Sequence, residues 1–136
     1  MREPARTTVR AVAAFDLLAT GCLAVPGLEA RFFAAVMRLD AALGIGTPFA
    51  PLPPLGLLLA NLAGALGVLW ALVRVAWPLR RLVASDAVAR CAVALLLAYS
   101  IAVRGVTPLL YAFVATELLG AALQVGALGR LRDPLR

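Results

Sequence analysis

Four long apolar runs alternate with short polar connections along this chain. They cover about residues 9–26, 55–75, 87–103 and 107–128. Each approaches the roughly 20 apolar residues that an α-helix needs to cross a bilayer. The ends of the runs carry turn and cap residues. Pro26-Gly27 closes the first, Pro53-Pro54 precedes the second, and Ser85-Asp86 reads as an N-cap for the third. Gly105 and Pro108 make the turn into the fourth. The pattern predicts an all-α membrane protein: one integral domain over residues 1–136, built as a four-transmembrane-helix bundle.

The connection between the first two runs, residues 27–54, is long enough to hold structure. Phe32, Phe33, Val36, Met37 and Leu43 recur at helical spacing, with Arg31 and Arg38 set away from them. That is the pattern of a short helix lying in the membrane interface. Pro48, Pro51, Pro53 and Pro54 then predict an extended, fairly stiff connector. The bland reading of this segment is a cover over the bundle, and the sharper one is a docking surface or lid.

Composition strengthens the membrane reading. Hydrophobic residues make up 63% of the chain, against about 45–50% in soluble domains. All 13 basic residues are Arg, and there is neither Lys nor His. Imidazole acid–base chemistry, His-ligated metals and lysine Schiff bases are thereby excluded. Cys22 and Cys91 form no CxxC and read as small buried apolar residues. No cofactor or metal is expected. The net charge of +6 does not indicate nucleic acid, because the arginines flank apolar runs rather than forming a patch.

Arginine position predicts orientation. Ten lie on one side: Arg2, Arg6, Arg10, Arg74, Arg80, Arg81, Arg90, Arg130, Arg132 and Arg136. Three lie on the other: Arg31, Arg38 and Arg104. Both termini are expected in the cytoplasm, and the Arg- and Ala-rich usage suggests a bacterial inner membrane. The first run is expected to stay as a span rather than be cleaved as a signal, because Asp16 interrupts it. Trp70 and Trp77 are expected in an interfacial belt at the cytoplasmic end of the second span.

The polar residues inside the spans fall into two layers. Asp16 follows Arg10 by six residues, about 9 Å along a helix. Asp16, Arg90 and Gln124 share that depth, so an inner layer is expected with Asp16–Arg90 as its ion pair; Arg90 pairing with Asp86 one turn earlier is the alternative. The middle layer holds Glu117, Asn61, Tyr99, Ser100 and Thr116. Glu117 is the sharpest signal, because a carboxylate at mid-membrane costs a few kcal/mol. No arginine obviously shares its depth. It reads either as a hydrogen-bonding post facing Asn61 or Tyr99, or as a proton-coupling or ligand-binding residue.

Gly56, Ala60 and Gly64 form a small-residue ridge on the second span, and Ala112, Thr116 and Gly120 form another on the fourth. Such ridges let helix backbones approach closely. Spans two and four are therefore expected to pack together, with Asn61 near Glu117. A partner protein or a second copy would use the same two spans.

The order Asn61–Gly64–Trp70–Arg74, then Asp86–Arg90, then Glu117–Gly120–Gln124, resembles small four-helix inner-membrane proteins of bacteria, and more loosely the DoxX-like group. The resemblance implies an accessory role beside redox or assembly partners. Three functions compete. The first is a non-enzymatic accessory or assembly subunit of a larger membrane complex. The second is a proton-coupled small-molecule transporter using Glu117. The third is a membrane enzyme acting on a lipid or isoprenoid.

Overall fold

The computed structural model describes residues 3–131; the regular structure among them is all helical, with a non-helical connector over residues 45–53 and no strand. Five α-helices form: α1 (Glu3–Ala24), α2 (Leu28–Ala42), α3 (Pro54–Ala76), α4 (Arg80–Arg104) and α5 (Tyr111–Leu128). A single 3-10 turn, Pro108–Leu110, leads into α5. Four helices are long and apolar enough to cross a membrane: α1, α3, α4, and α5 with its leading turn. The chain is therefore read as a multi-pass membrane protein.

The breaks follow local chemistry. Gly27 has φ 87° between α1 and α2, and Gly105 has φ 65° as the C-cap of α4. Both are left-handed conformations that favour glycine. Pro54 occupies the first turn of α3, where its missing N–H costs nothing. Thr107 accepts the Leu109 N–H at the start of the 3-10 turn.

Two boundaries differ from the sequence reading. The α4 helix begins at Arg80, just after Pro78, so Ser85-Asp86 lies inside it and caps nothing. The Asp86 carboxylate is drawn instead to donors on other helices. The α1 helix begins at Glu3, two turns before the apolar run, because its first turns pack into a small core. That core joins Ala5 and Val9 to Val83, Ala127 and Leu131 at the end of the bundle where Glu3 and Leu131 lie.

The helices pack as two pairs. The α1 helix lies along α3, α4 lies along α5, and the pairs meet mainly where α1 touches α5. The expected packing of spans two and four is corrected: among the described residues α3 has no substantial contact with α5. The reason lies in which small residues are used. A Cβ on Gly64 would run into the Leu23–Ala24 backbone of α1, and one on Gly67 would meet Thr20 at 2.9 Å. Ala71, one turn further, is fully buried. The glycine face of α3 is thus spent on α1. On α5 the same logic serves α4, because Gly120 lies against the Arg90 side chain.

The α2 helix folds back on the other end of the bundle. Phe32, Phe33, Val36 and Met37 are half-buried, while Arg31 and Arg38 are exposed. Phe32 meets Phe113 of α5 edge-on, 6.4 Å between ring centres.

Candidate functional site

A charged cluster joins all four long helices in the half nearer Glu3 and Leu131. Asp86 of α4 is its hub and is 3% exposed. Its Oδ2 accepts from Arg74 Nη1 of α3 at 2.6 Å, from Arg90 Nε one turn along at 3.0 Å, and from Gln124 Nε2 of α5. Its Oδ1 accepts from the Trp70 indole N–H of α3. Asp16 of α1 accepts from Arg74 Nη2 at 2.5 Å and from Arg90 Nη2, both on Oδ2. Arg90 Nη1 donates to Glu117 Oε2 of α5 at 3.0 Å. Planar guanidiniums suit this bridging, since each has several donors in fixed directions.

The cluster has a closed part and an open end. Arg74, Asp86, Arg90 and Gln124 are all buried. Asp16 is little more exposed, at 13% of its side chain. Glu117 is 25% exposed and, among the described residues, has one hydrogen-bonding side chain, Arg90. Burying these charges is costly, and it is offset by mutual attraction and by the hydrogen bonds above, although Arg74 Nε and Gln124 Oε1 are buried without a partner among the described residues.

Glu117 faces a cavity of about 310 Å³ that lies between the two helix pairs. Glu117, Asp16, Arg74, Asp86 and Arg90 line its charged side. Phe15, Trp70, Phe113, Leu23 and Val93 are among its apolar walls. Phe113 is also the ring met by Phe32, so α2 stands over this wall. A second groove of about 290 Å³, between α1 and α5, reaches Arg90 from the other side past Thr116, Leu119 and Gly120.

The structure brings the residues of the inner layer, Asp16, Arg90 and Gln124, into one network, and Arg90 takes Asp16 and Asp86 together rather than choosing between them. The middle layer is dispersed. Asn61 donates to the Leu23 carbonyl at 2.8 Å, which corrects its expected place beside Glu117; its helix packs on α1. Tyr99 is exposed at the far end of α4, where Arg104 lies over its ring at 5.7 Å. The Ser100 carbonyl accepts the Gly105 and Val106 N–H groups that close α4. Thr116 lines the cavity beside Glu117, but its hydroxyl bonds back to the Phe113 carbonyl. The expectation that Glu117 lacks a cation is corrected as well: Arg90 is long enough to reach it along the helix.

Two cluster members, Arg74 and Trp70, lie outside the expected inner layer, and a third, Asp86, enters it only as the alternative partner of Arg90. Arg74 was counted among flanking charges, yet it is 2% exposed. Trp70 was assigned to an interfacial belt, yet its indole N–H serves Asp86; Trp77, at 61% exposed, faces outward. Asp86, expected as a cap and as the alternative partner of Arg90, caps nothing but does hold Arg90. The available signal was spacing: Trp70 and Arg74 lie one turn apart, as do Asp86 and Arg90, so each pair shares a helix face.

A second buried carboxylate sits at the opposite end. Asp40 of α2 accepts from Thr107 Oγ1 at 2.6 Å, from Thr47 Oγ1 at 2.7 Å and from the Thr47 N–H at 3.0 Å. It ties α2 to its following loop and to the α4–α5 turn. Burial pushes the Asp40 carboxyl up, but the Thr107 and Thr47 hydroxyls, with the N–H groups of Thr47 and Gly46, outweigh this and hold it below its ordinary value of 3.8. Cys22 and Cys91 are both free thiols, and their expected burial is corrected: Cys22 is half-buried and Cys91 is exposed on the outer face of α4.

No protein-family model, curated protein or solved structure matches the chain. The site must be read from its own chemistry.

Proposed function

We propose that this protein is a proton-coupled carrier of a small molecule, with Glu117 as the coupling carboxylate. One observation carries the reading: a charged network spanning all four long helices ends on a partly exposed carboxylate that lines a cavity. Intramembrane carboxylates of this kind mark substrate and proton pathways. The volume suits a small ligand. Arg90 positions Glu117, and the Asp16–Arg74–Asp86 part holds Arg90.

The membrane in this reading is the bacterial inner membrane, with both termini cytoplasmic. Arg74 and Arg90 are buried, so neither counts toward orientation; eight arginines still stand against three. The α2 helix lies in the outer interface with Arg31 and Arg38 toward the headgroups.

The test uses proteoliposomes containing an internal pH dye. Neutral, cationic and anionic aromatic probes are added in turn. At least one class should drive a protein-dependent pH change that Glu117→Gln loses. If none does, the carrier reading fails.

A second reading is a non-enzymatic accessory or assembly subunit, the role implied by the DoxX-like resemblance. It rests on the outer face of α3, where Leu55, Leu58, Leu59, Leu62, Leu66 and Leu69 are exposed and free to meet lipid or a partner helix. A stoichiometric membrane partner recovered under gentle detergent would support it. A chain that runs alone would not.

A further inference from the structure

We infer that the ligand of the α1/α3–α4/α5 cavity is a lipophilic monocation, taken up in exchange for one proton. This rests on the carrier reading and adds the substrate class to it. The argument is charge balance. Arg74 and Arg90 face Asp16 and Asp86, two positive groups against two negative. Glu117 is a third carboxyl, and Arg90, which it touches, is already shared with both aspartates. A fully ionised cluster therefore has one excess negative charge. An uncompensated charge in a low-dielectric interior is strongly unfavourable. One proton balances it, and so does one monocation.

An anion would deepen the excess, and a neutral ligand would leave it unchanged. Only a cation can replace the proton without altering the total. The walls fit the same class. Phe15, Trp70 and Phe113 line the cavity, and aromatic faces attract cations, most strongly where water is excluded. Leu23 and Val93 offer apolar surface to the rest of the ligand. The exchange is balanced: the Glu117 O–H proton leaves to water as the cation takes its place against the carboxylate. No covalent bond of the ligand changes.

The probes are benzyltrimethylammonium and its neutral isostere neopentylbenzene, with benzenesulfonate as the anion. Binding to the full chain in weakly buffered detergent is followed by calorimetry and by a pH dye. The cation should bind saturably, release about one proton, and weaken about tenfold per unit fall in pH while Glu117 is protonated. The neutral isostere and the anion should bind at least tenfold more weakly. Glu117→Gln should abolish proton release. Phe15→Ala should weaken the cation without changing the proton count, which keeps the test usable if Glu117→Gln misfolds. Equal binding of the isostere, or cation binding without proton release, overturns the inference. Should the isostere or the anion drive the proteoliposome pH change instead, the carrier reading survives and this one falls. Silence from all three probes removes both.

Discussion

Asp40 and Asp86 are both buried carboxylates, and their surroundings differ in kind. Asp40, at the α2 end, is satisfied by two hydroxyls and the Thr47 N–H, with no cation donating to it among the described residues. Asp86, deep among the long helices, is held by two guanidiniums, an indole and an amide. Near the end of a bundle, neutral donors from a turn can solvate a carboxylate. Deeper in, a shared cation becomes the effective partner, because charge in a low dielectric is costly to leave uncompensated. The first arrangement can act as a fixed latch. The second brings several charges together, and its total charge responds to what enters.

The comparison is most severely tested at Arg74, which contacts both Asp16 and Asp86. Arg74→Leu leaves three carboxylates, Asp16, Asp86 and Glu117, sharing Arg90 as their cation. A loss of about 3–5 kcal/mol in folding stability is expected, measured by denaturation in mixed micelles. Arg74→Leu combined with Asp86→Leu should cost less than the two separate losses added together, since the charges vanish as a pair. A loss below about 1 kcal/mol for Arg74→Leu would place the cluster in the range of surface ion pairs and erase the contrast.

Gly120 tests the open end of the cluster. A Cβ there would stand 2.7 Å from Arg90 Nη1, the end of a flexible side chain. Gly120→Ala should therefore keep the fold, at a cost of about 1–3 kcal/mol, and push Arg90 away from Glu117. The infrared bands of the Glu117 carboxyl, identified by comparison with Glu117→Gln, should shift. Unchanged bands would mean that Glu117 does not depend on Arg90 for its state.

The long elements were legible in the sequence because apolar length and proline–glycine punctuation are local signals. The site was legible only in part. Asp16, Arg90 and Gln124 could be grouped by depth, since helical rise converts sequence distance into depth. Helix neighbours could not be read this way. Depth does not say which helix stands beside which, so α3 was assigned to the wrong partner and Asn61 moved with it. Arg74 was misplaced for a related reason: a charge in the last turn of an apolar helix reads as flanking unless its face is known. Glu117 stood out as a single anomaly, and its partner was hidden by the length of the Arg90 side chain.

The Asp40 latch carries a pH prediction of its own. Its carboxyl lies below the ordinary value of 3.8 in the folded chain. Its contribution is therefore fully present above about pH 4 and is lost as pH falls through the lower folded value. The stability gap between the native chain and Asp40→Asn should be flat from about pH 5 to 8 and close below about pH 4. Thermal unfolding across that range measures it. A gap that changes between about pH 5 and 8 would show that the Asp40 carboxyl is not held below its ordinary value.

The smallest effect belongs to Asn61, whose amide donates to the Leu23 carbonyl within the membrane-spanning part of the bundle. It is neutral like the Asp40 donors, yet it lies on a long helix like the charged cluster. If depth alone made polar contacts strong, Asn61→Ala would be nearly as damaging as Arg74→Leu. If charge is what depth amplifies, the loss should be about 0.6 kcal/mol, as for other neutral bonds between membrane helices. Close packing of Gly64 on the same stretch of α1 then carries most of the α1–α3 contact. Under this view Gly64→Leu, which forces the two backbones apart, should cost several times more than Asn61→Ala in the same denaturation assay. The reverse order would make the hydrogen bond, and not the glycine face, the main tie between α1 and α3.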